Sequence, residues 1–583
     1  MYPATIFNWH DNSEINTQNP NQTADDNAPL FMQVFASDKG IEDFIEISGS
    51  DFNKMYGTMN FDKYGQAAIQ AQAIIDAGGK LFAKRVVAPD SEIANVIVLA
   101  TVSIDGSKAK ITYSAETVTA KRNFDEVKTY ALSLLDEDAM VYPLMVVTDN
   151  GRGKSNKAIR LTPDYTTSKT IGKVFYNLSI YEGTAITEQK TVTVDPTVVY
   201  SSEAYRFDKY TTVQVTGEVI PDVFEKMIKK ISSINGSSVE ELRTYDILNG
   251  YKFNGEAINN IVVDKTSCNL NADLGQALKS GSNGSFEDGS VLDNTAYKTA
   301  LIAAFGGNGS DILAADDIIY DVDQFKIAAI VDANYPADVK NAIFRLVSFR
   351  EDCVFFRDFG IGLKTFAEIK GAYDSYADYR NRYTADYCTS YLITDPISKK
   401  NVEVTMTYDL AICLVDHIKN NFNAPVAGTI NNFILSNAIK GSINYVPIRT
   451  PDTNAKQAID DIKVNYAIFE GDNCVVQSCY TSQKEYTQLS FVSNVLAIQY
   501  VLRRVRTMCP RQRYSLSTDG DLTSYATAVT DVLADFMSSF DVLRFTYTQD
   551  PLRAKQKIFY ASIEFAFLNW AQTEVFDIYA INN

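Results

Sequence analysis

With 583 residues the chain is long enough for roughly three to five domains. Its net charge of −18 argues against a binder of nucleic acid or anionic membrane, since both need a positive field. Apolar residues at 46% and charged residues at 22% are ordinary for a soluble globular protein, whereas Tyr 34 and Phe 32 against Trp 2 suit wide, half-wet protein interfaces or β-rich folds.

Residues 1–29 begin with a short apolar patch, Ile6-Phe7-Asn8-Trp9, followed by a polar run rich in Asn, Asp, Thr and Gln. Such a run cannot bury enough to fold alone, so it reads as a reaching arm with a docking strand at its tip. No basic and apolar leader opens the sequence, and no signal peptide is expected.

Leu30–Ala36 is predicted as a strand, Ile41–Ile47 as an alternating segment and Asp51–Gly57 as a helical turn. Ile69, Ala73 and Ile74 place a helix over 66–77. Gly78-Gly79 supplies its left-handed stop before a strand at 80–87. From about 91 to 264 the texture changes to short β-branched runs separated by turn signals, including Asp105-Gly106 and Glu182-Gly183. This reads as a β-rich insertion, sandwich or barrel-like, punctuated by helices near 123–135 and 221–234.

A Gly/Ser/Asn-rich connection leads back to α/β texture. A buried strand is expected over 325–331, a helix from Pro336 to about Ser348, a strand at 353–356 and a helix over 409–418. The final domain holds two apolar stripes at helical spacing. One runs through Phe491, Val495, Ile498, Leu502, Val505 and Cys509, with Pro510 ending that helix; the other runs through Leu522, Val529, Leu533, Phe536 and Phe540. Strand-like runs follow, with Leu543, Phe545 and Tyr547 on one face and Phe559, Ile563, Phe565 and Phe567 on another. The terminus carries Val575, Phe576, Ile578, Tyr579 and Ile581. Alternating apolar residues with unpaired backbone groups must pair with a sheet edge, either in their own domain or in a neighbouring subunit.

Signals for chemistry are sparse. The two histidines, His10 and His417, lack an orienting carboxylate at a usable spacing, and Asp416 points about 100° away from His417 on a helix. Seven scattered cysteines, among them Cys474 and Cys479, read as reduced core thiols rather than zinc ligands. Gly306-Gly307-Asn308-Gly309 lacks the Lys-Ser/Thr of a phosphate loop, and Asp311 to Asp323 lacks the spacing of a calcium loop. Asp332 and Asp358 follow predicted parallel strands, where ligands of open α/β sheets bind, though capping carboxylates also stand there. Arg503, Arg504, Arg506, Arg511 and Arg513 form a basic run in an acidic chain. Arg503 and Arg506 lie off the apolar stripe and are expected to project from the helix, as surface ion pairs or as a patch for an acidic partner.

In order along the chain, several segments resemble the contractile-tail sheath proteins of bacteriophages and related injection systems. They are Leu30–Val87 with its Lys-Gly turn, Asp51–Gly57 and Gly78-Gly79; Gly151-Arg152-Gly153-Lys154-Ser155-Asn156 with Phe175–Glu182; Ala424-Pro425-Val426-Ala427-Gly428; and the closing layout of strands, two helices and terminal strands. The resemblance implies an α+β multidomain fold. An N-terminal linking arm (1–29) would precede an α/β core (30–90 and 265–440) interrupted by an inserted β-rich unit (91–264). A C-terminal α+β assembly domain (441–570) and a linking strand (571–583) would complete it.

It implies stacked hexameric rings of this chain around an inner tube, no cofactor and no catalysis. The partners would be a tube protein, baseplate and terminator proteins, without direct nucleic-acid contact or membrane insertion. The location would be the virion tail, after assembly in the host cytoplasm. Ile6, Phe7, Trp9, Val575, Phe576, Ile578, Tyr579 and Ile581 would supply intersubunit strands, and the arginine run a tube or intersubunit contact. Two other readings stay open: a cytosolic α/β enzyme centred on Asp332 and Asp358, and a phage carbohydrate-binding protein using the inserted unit.

Overall fold

The computed structural model describes residues 28–183, 185–193, 206–207, 215–246, 250–252, 256, 258, 260–264, 276–287, 290–306, 318–448, 450–512, 519–534, 536–548 and 560–567. At its centre lies a six-stranded sheet in the order Thr384–Tyr387, Val354–Asp358, Ala329–Val331, Leu30–Phe35, Lys80–Arg85, Ile45–Ser48. All neighbours pair parallel except the last, which runs antiparallel at the edge. All six residues of Leu30–Phe35 are buried, so both faces of that strand are covered and the alternation of a half-exposed strand is absent.

Two helix pairs provide the cover. Gln66–Asp76 packs on Thr407–Asn420 and on the strands 30–35 and 80–85, while Thr295–Ala304 packs on Ala337–Arg350 and on 30–35. Close approach of the first pair depends on Gly79, where an added Cβ would lie 2.8 Å from Ile74 and 3.0 Å from Val415. Phe82 is stacked between Phe44 and Phe325, with ring centroids at 4.7 and 4.3 Å.

The expected 325–331 strand shortens to Ala329–Val331, because Phe325 turns its ring onto Phe82 instead of pairing. Pro336 stands one place earlier than expected, at the cap, with ψ of 151° before Ala337.

Among the described residues the inserted unit carries two larger sheets and a two-stranded pair, 245–246 with 251–252, on one apolar core. The larger runs 206–207, Val215–Val219, Val141–Arg152, Ile93–Asp105, Lys108–Glu116, Ile261–Asp264; the smaller runs 276–277, Lys157–Pro163, Phe175–Glu182, Ala185–Thr193. Helices Phe124–Ser133 and Pro221–Asn235 pack against the long 141–152 strand. Among the described residues neither sheet closes on itself, and the two helices cover the larger one.

The described C-terminal residues divide between the main core and a small cluster of their own. Helix Val492–Gln512 buries Val492, Val495, Leu496, Ala497, Ile498 and Val501 in the same cluster as the main sheet. Only its outer part joins helix Asp519–Ala534 in a small separate cluster of Val505, Val529, Val532 and Leu533. The helix also runs two residues past Pro510, contrary to the expected stop, as a proline in the final turn disturbs few further hydrogen bonds.

His417 faces inward from Thr407–Asn420, 2% exposed, with its ring 5.2 Å from that of Phe433. Neither ring nitrogen has a hydrogen-bond partner among the described residues, and burial pushes its pKa down to about 4 against the weak opposing pull of Asp416. The folded protein therefore keeps the imidazole neutral where the unfolded chain takes up a proton near pH 6.5. Stability present above that pH is lost as pH falls toward 4, by a few kcal/mol at most. In denaturant titrations between pH 4.5 and 7, His417→Leu should flatten this part of the pH dependence; an unchanged slope would contradict it.

Candidate functional site

At the carboxyl ends of the parallel strands the structure brings Asp332 and Asp358 together with a lysine that sequence reading passed over. Lys340, on the first turn of helix 337–350, is 3% exposed and donates to Asp358 Oδ1 at 2.5 Å and to the Asp358 carbonyl at 2.7 Å. It also pairs with Asp332 Oδ2 at 3.1 Å. Asp332 Oδ1 accepts from the backbone N–H groups of Ala333 (2.8 Å) and Tyr335 (3.0 Å), and Oδ2 from that of Asp358 (3.2 Å). Asp358 Oδ1 takes the Gly360 N–H at 2.8 Å, while Oδ2 takes the Asn334 N–H and the Thr405 hydroxyl, both at 3.0 Å. Gln66 and Gln70 extend the network, Gln66 donating to Thr405 Oγ1 at 2.9 Å and Gln70 to the Asp332 carbonyl at 3.1 Å.

Burial pushes the Asp332 carboxyl up, the neighbouring Asp358 pushes it further, and Lys340 opposes both. Burial would lower the Lys340 pKa, but the two carboxylates more than offset this and hold the ammonium charged. All four carboxylate oxygens are engaged by protein groups, so the pair has no oxygen turned to a substrate. What it does is tie the ends of three strands and two helices to one another. Among the described residues, no group of three or more His, Cys, Asp or Glu is placed to hold a metal ion.

The arginine run is placed differently from expectation. Arg503 and Arg506 do not project from the helix; each is 9% exposed. With Gln499 they form one face at i, i+4 and i+7, directed at the turn between helix 337–350 and strand 354–358. Gln499 donates to the carbonyls of Glu351 (3.3 Å) and Cys353 (3.2 Å), and Arg503 to that of Asp352 (3.0 Å). The Asp352 carboxylate is held by Arg350 at 3.0 and 2.9 Å and lies 3.9 Å from Arg506. Burial pushes the Arg503 pKa down to about 10, against the charge of Asp352. Arg504 is half-buried and donates to the Tyr500 hydroxyl at 3.1 Å. The side chain of Arg511, and Arg513, lie outside the described residues.

Beyond this helix stands a two-stranded antiparallel hairpin, Phe540–Thr548 with Tyr560–Phe567. Leu543 faces Phe565 and Phe545 faces Ile563, on the side packed toward the body; Phe540 and Phe567 close the base with centroids 5.2 Å apart. On the other side Val542 is 48% exposed and Arg544 pairs with Glu564. Among the described residues neither outer edge has a strand partner. A groove of about 310 Å³ between the hairpin and helix 519–534 is lined by Thr523, Ala526, Thr527, Thr530, Asp531 and Phe545. The expected intersubunit strand residues Ile6, Phe7, Trp9, Val575, Phe576, Ile578, Tyr579 and Ile581 lie outside the described residues.

Lys340→Met would leave two buried carboxylates facing each other without their cation. A loss of about 3–5 kcal/mol is expected by chemical denaturation. The deficit should grow as pH rises from 6 to 8, because the folded variant holds a proton that the unfolded chain releases. A deficit that shrinks with rising pH would contradict the assignment.

No protein-family model matches this sequence, and no curated protein matches it. Solved structures to which it is similar include sheath proteins. The sheath tail protein of Listeria innocua shares 10% identity, with 93% of this chain and 92% of that chain covered and a TM-score of 0.48. That of Desulfitobacterium hafniense shares 9%, covering 94% and 93%, with a TM-score of 0.41. The sheath of an extracellular contractile injection system, PVC, in the contracted state, shares 12% over 49% of this chain and 80% of that one, with a TM-score of 0.36. In name, two of these are sheath tail proteins and the third is the sheath of a contractile injection system.

Proposed function

We propose that the chain is the subunit of a contractile tail sheath, assembling as stacked hexameric rings around an inner tube and rearranging to drive that tube through a host envelope. One observation carries the reading: strands 540–548 and 560–567 form a hairpin anchored on the body by Leu543, Phe545, Ile563 and Phe565 yet open at both edges among the described residues. An open edge recruits strands, and strand-like segments stand at both ends of the sequence, Ile6 to Trp9 and Val575 to Ile581. Strands donated from one subunit to the hairpin of the next form a heterologous contact that propagates, which is the geometry of a helical array.

The polar run of 11–29 is long enough to act as tether while the body keeps its fold. The extended sheath is then a kinetically held state, and contraction is rigid-body rotation of subunits between fixed linkages. No hydrolysis is called for. Arg503 and Arg506 serve inside the subunit, joining the helix to the core; Arg504, Arg511 and Arg513 are the members of the run left for tube or intersubunit contact. The fully engaged oxygens of Asp332 and Asp358 support a structural rather than an enzymatic core. A tube protein, baseplate and terminator are the partners of this reading, and its location is the virion tail after assembly in host cytoplasm.

Negative-stain electron microscopy of the full chain beside a variant lacking residues 1–29 tests the linkage. Tubes or stacked rings are expected from the full chain and short or no assemblies from the variant. Assemblies of equal length from both would contradict it.

A further inference from the structure

The passage between the core and the inserted unit is built around one buried guanidinium. Arg85 ends the core strand from which the chain departs, and it is 2% exposed. Its Nε donates to the Ser37 carbonyl at 3.0 Å. Nη1 donates to the carbonyls of Arg152 (2.6 Å) and Gly40 (3.2 Å), and Nη2 to that of Asp38 (3.2 Å) and to Asn283 Oδ1 (3.5 Å). These acceptors belong to three separate passages of chain: the loop after the first core strand, the end of the long insertion strand, and the segment returning to the core. A planar fork of five donors fixes the three in direction as well as distance, which a point charge cannot do.

Glycine permits the closeness. An added Cβ at Gly151 would lie 2.0 Å from the Gly40 carbonyl oxygen, and one at Gly281 would lie 2.0 Å from that of Gly153. At Gly153, with φ of +124°, it would lie 2.6 Å from the Asp38 carbonyl oxygen. The outgoing and returning chains are also bonded to each other, Glu92 N–H to the Ser282 carbonyl at 2.8 Å and Ser282 N–H to that of Glu92 at 3.1 Å. Around the rim, Glu42 accepts from the Arg152 backbone N–H (2.8 Å) and from its Nη2 (2.6 Å), and Lys39 pairs with Glu182.

We infer that the inserted unit is locked onto the core as one rigid lever, with Arg85 as the positioning residue of the lock. A hinge needs a few residues free to change φ and ψ; here the two crossing chains are paired, and both are clamped to the 37–42 loop. A load applied to the inserted unit is therefore transmitted to the core sheet instead of being absorbed at the crossing. The lock is a property of the single chain and does not depend on the sheath reading.

The test uses the dilute full-length chain with paired spin labels at Ile104 in the inserted unit and Ile397 in the core, which are 58% and 51% exposed. The labels are attached by a non-cysteine chemistry. One narrow distance population is expected for the otherwise unaltered chain. In Arg85→Gln the population should broaden, and the amides of Glu92 and Gly153, bonded across the crossing, should exchange about tenfold faster or more. Arg85→Lys should not restore the narrow population, since it returns the charge without the fork. A broad or bimodal distribution in the chain with Arg85 intact would overturn the inference. So would a folded Arg85→Gln protein with unchanged width and exchange. Should that variant not fold, the distribution of the Arg85 chain decides, and Glu42→Ala, which removes the Arg152 clamp, is read in the same way.

Discussion

The central sheet is split by sequence, and the rest of the molecule depends on its closure. Strand 30–35 pairs on one side with 80–85 and on the other with 329–331, so the chain leaves the sheet after Arg85 and must return to the opposite edge of the same strand. Closing so long a loop is entropically costly, and parallel pairing is not rewarded until the return is made. Buried cations fasten the structure where the sheet needs it. Arg85 gathers three passages of chain where the inserted unit begins and ends, and Lys340 gathers the strand ends at the carboxyl edge. Neither is a surface ion pair of negligible worth, because each satisfies backbone or carboxylate groups that burial would otherwise strand.

Local elements were legible where periodicity and punctuation agreed. Gln66–Asp76 follows from Ile69, Ala73 and Ile74 with Gly78 as its stop, and the paired faces of Leu543 and Phe545 with Ile563 and Phe565 follow from strict alternation. The pairing of 30–35 with 329–331 was not legible, since nothing local links segments so far apart. The orientation of Arg503 and Arg506 was misread for a related reason: a stripe drawn from apolar residues cannot register carbonyls and a carboxylate supplied by residues 351–353. Lys340 left a usable signal. It stands at i−3 and i−7 to buried Ile343 and Val347, and a lysine on a buried helix face demands an acidic partner. Asp332 and Asp358 stand out from their position after strands, but the lysine that braces them does not stand out in this way.

A mechanical division of labour emerges. The core, the inserted unit and the inner part of helix 492–512 share buried polar fastenings that favour motion as one body, while the open hairpin offers edges to other strands.

The central claim is that the hairpin is completed by strands from other copies of the chain. Cryo-electron microscopy of the assembled full-length protein tests it most directly. The account predicts additional strands alongside 540–548 or 560–567, traceable to the termini of neighbouring subunits, with the core and inserted unit superposing on the isolated fold. A closed oligomer whose hairpin edges remain bare, with contacts made elsewhere, would contradict it.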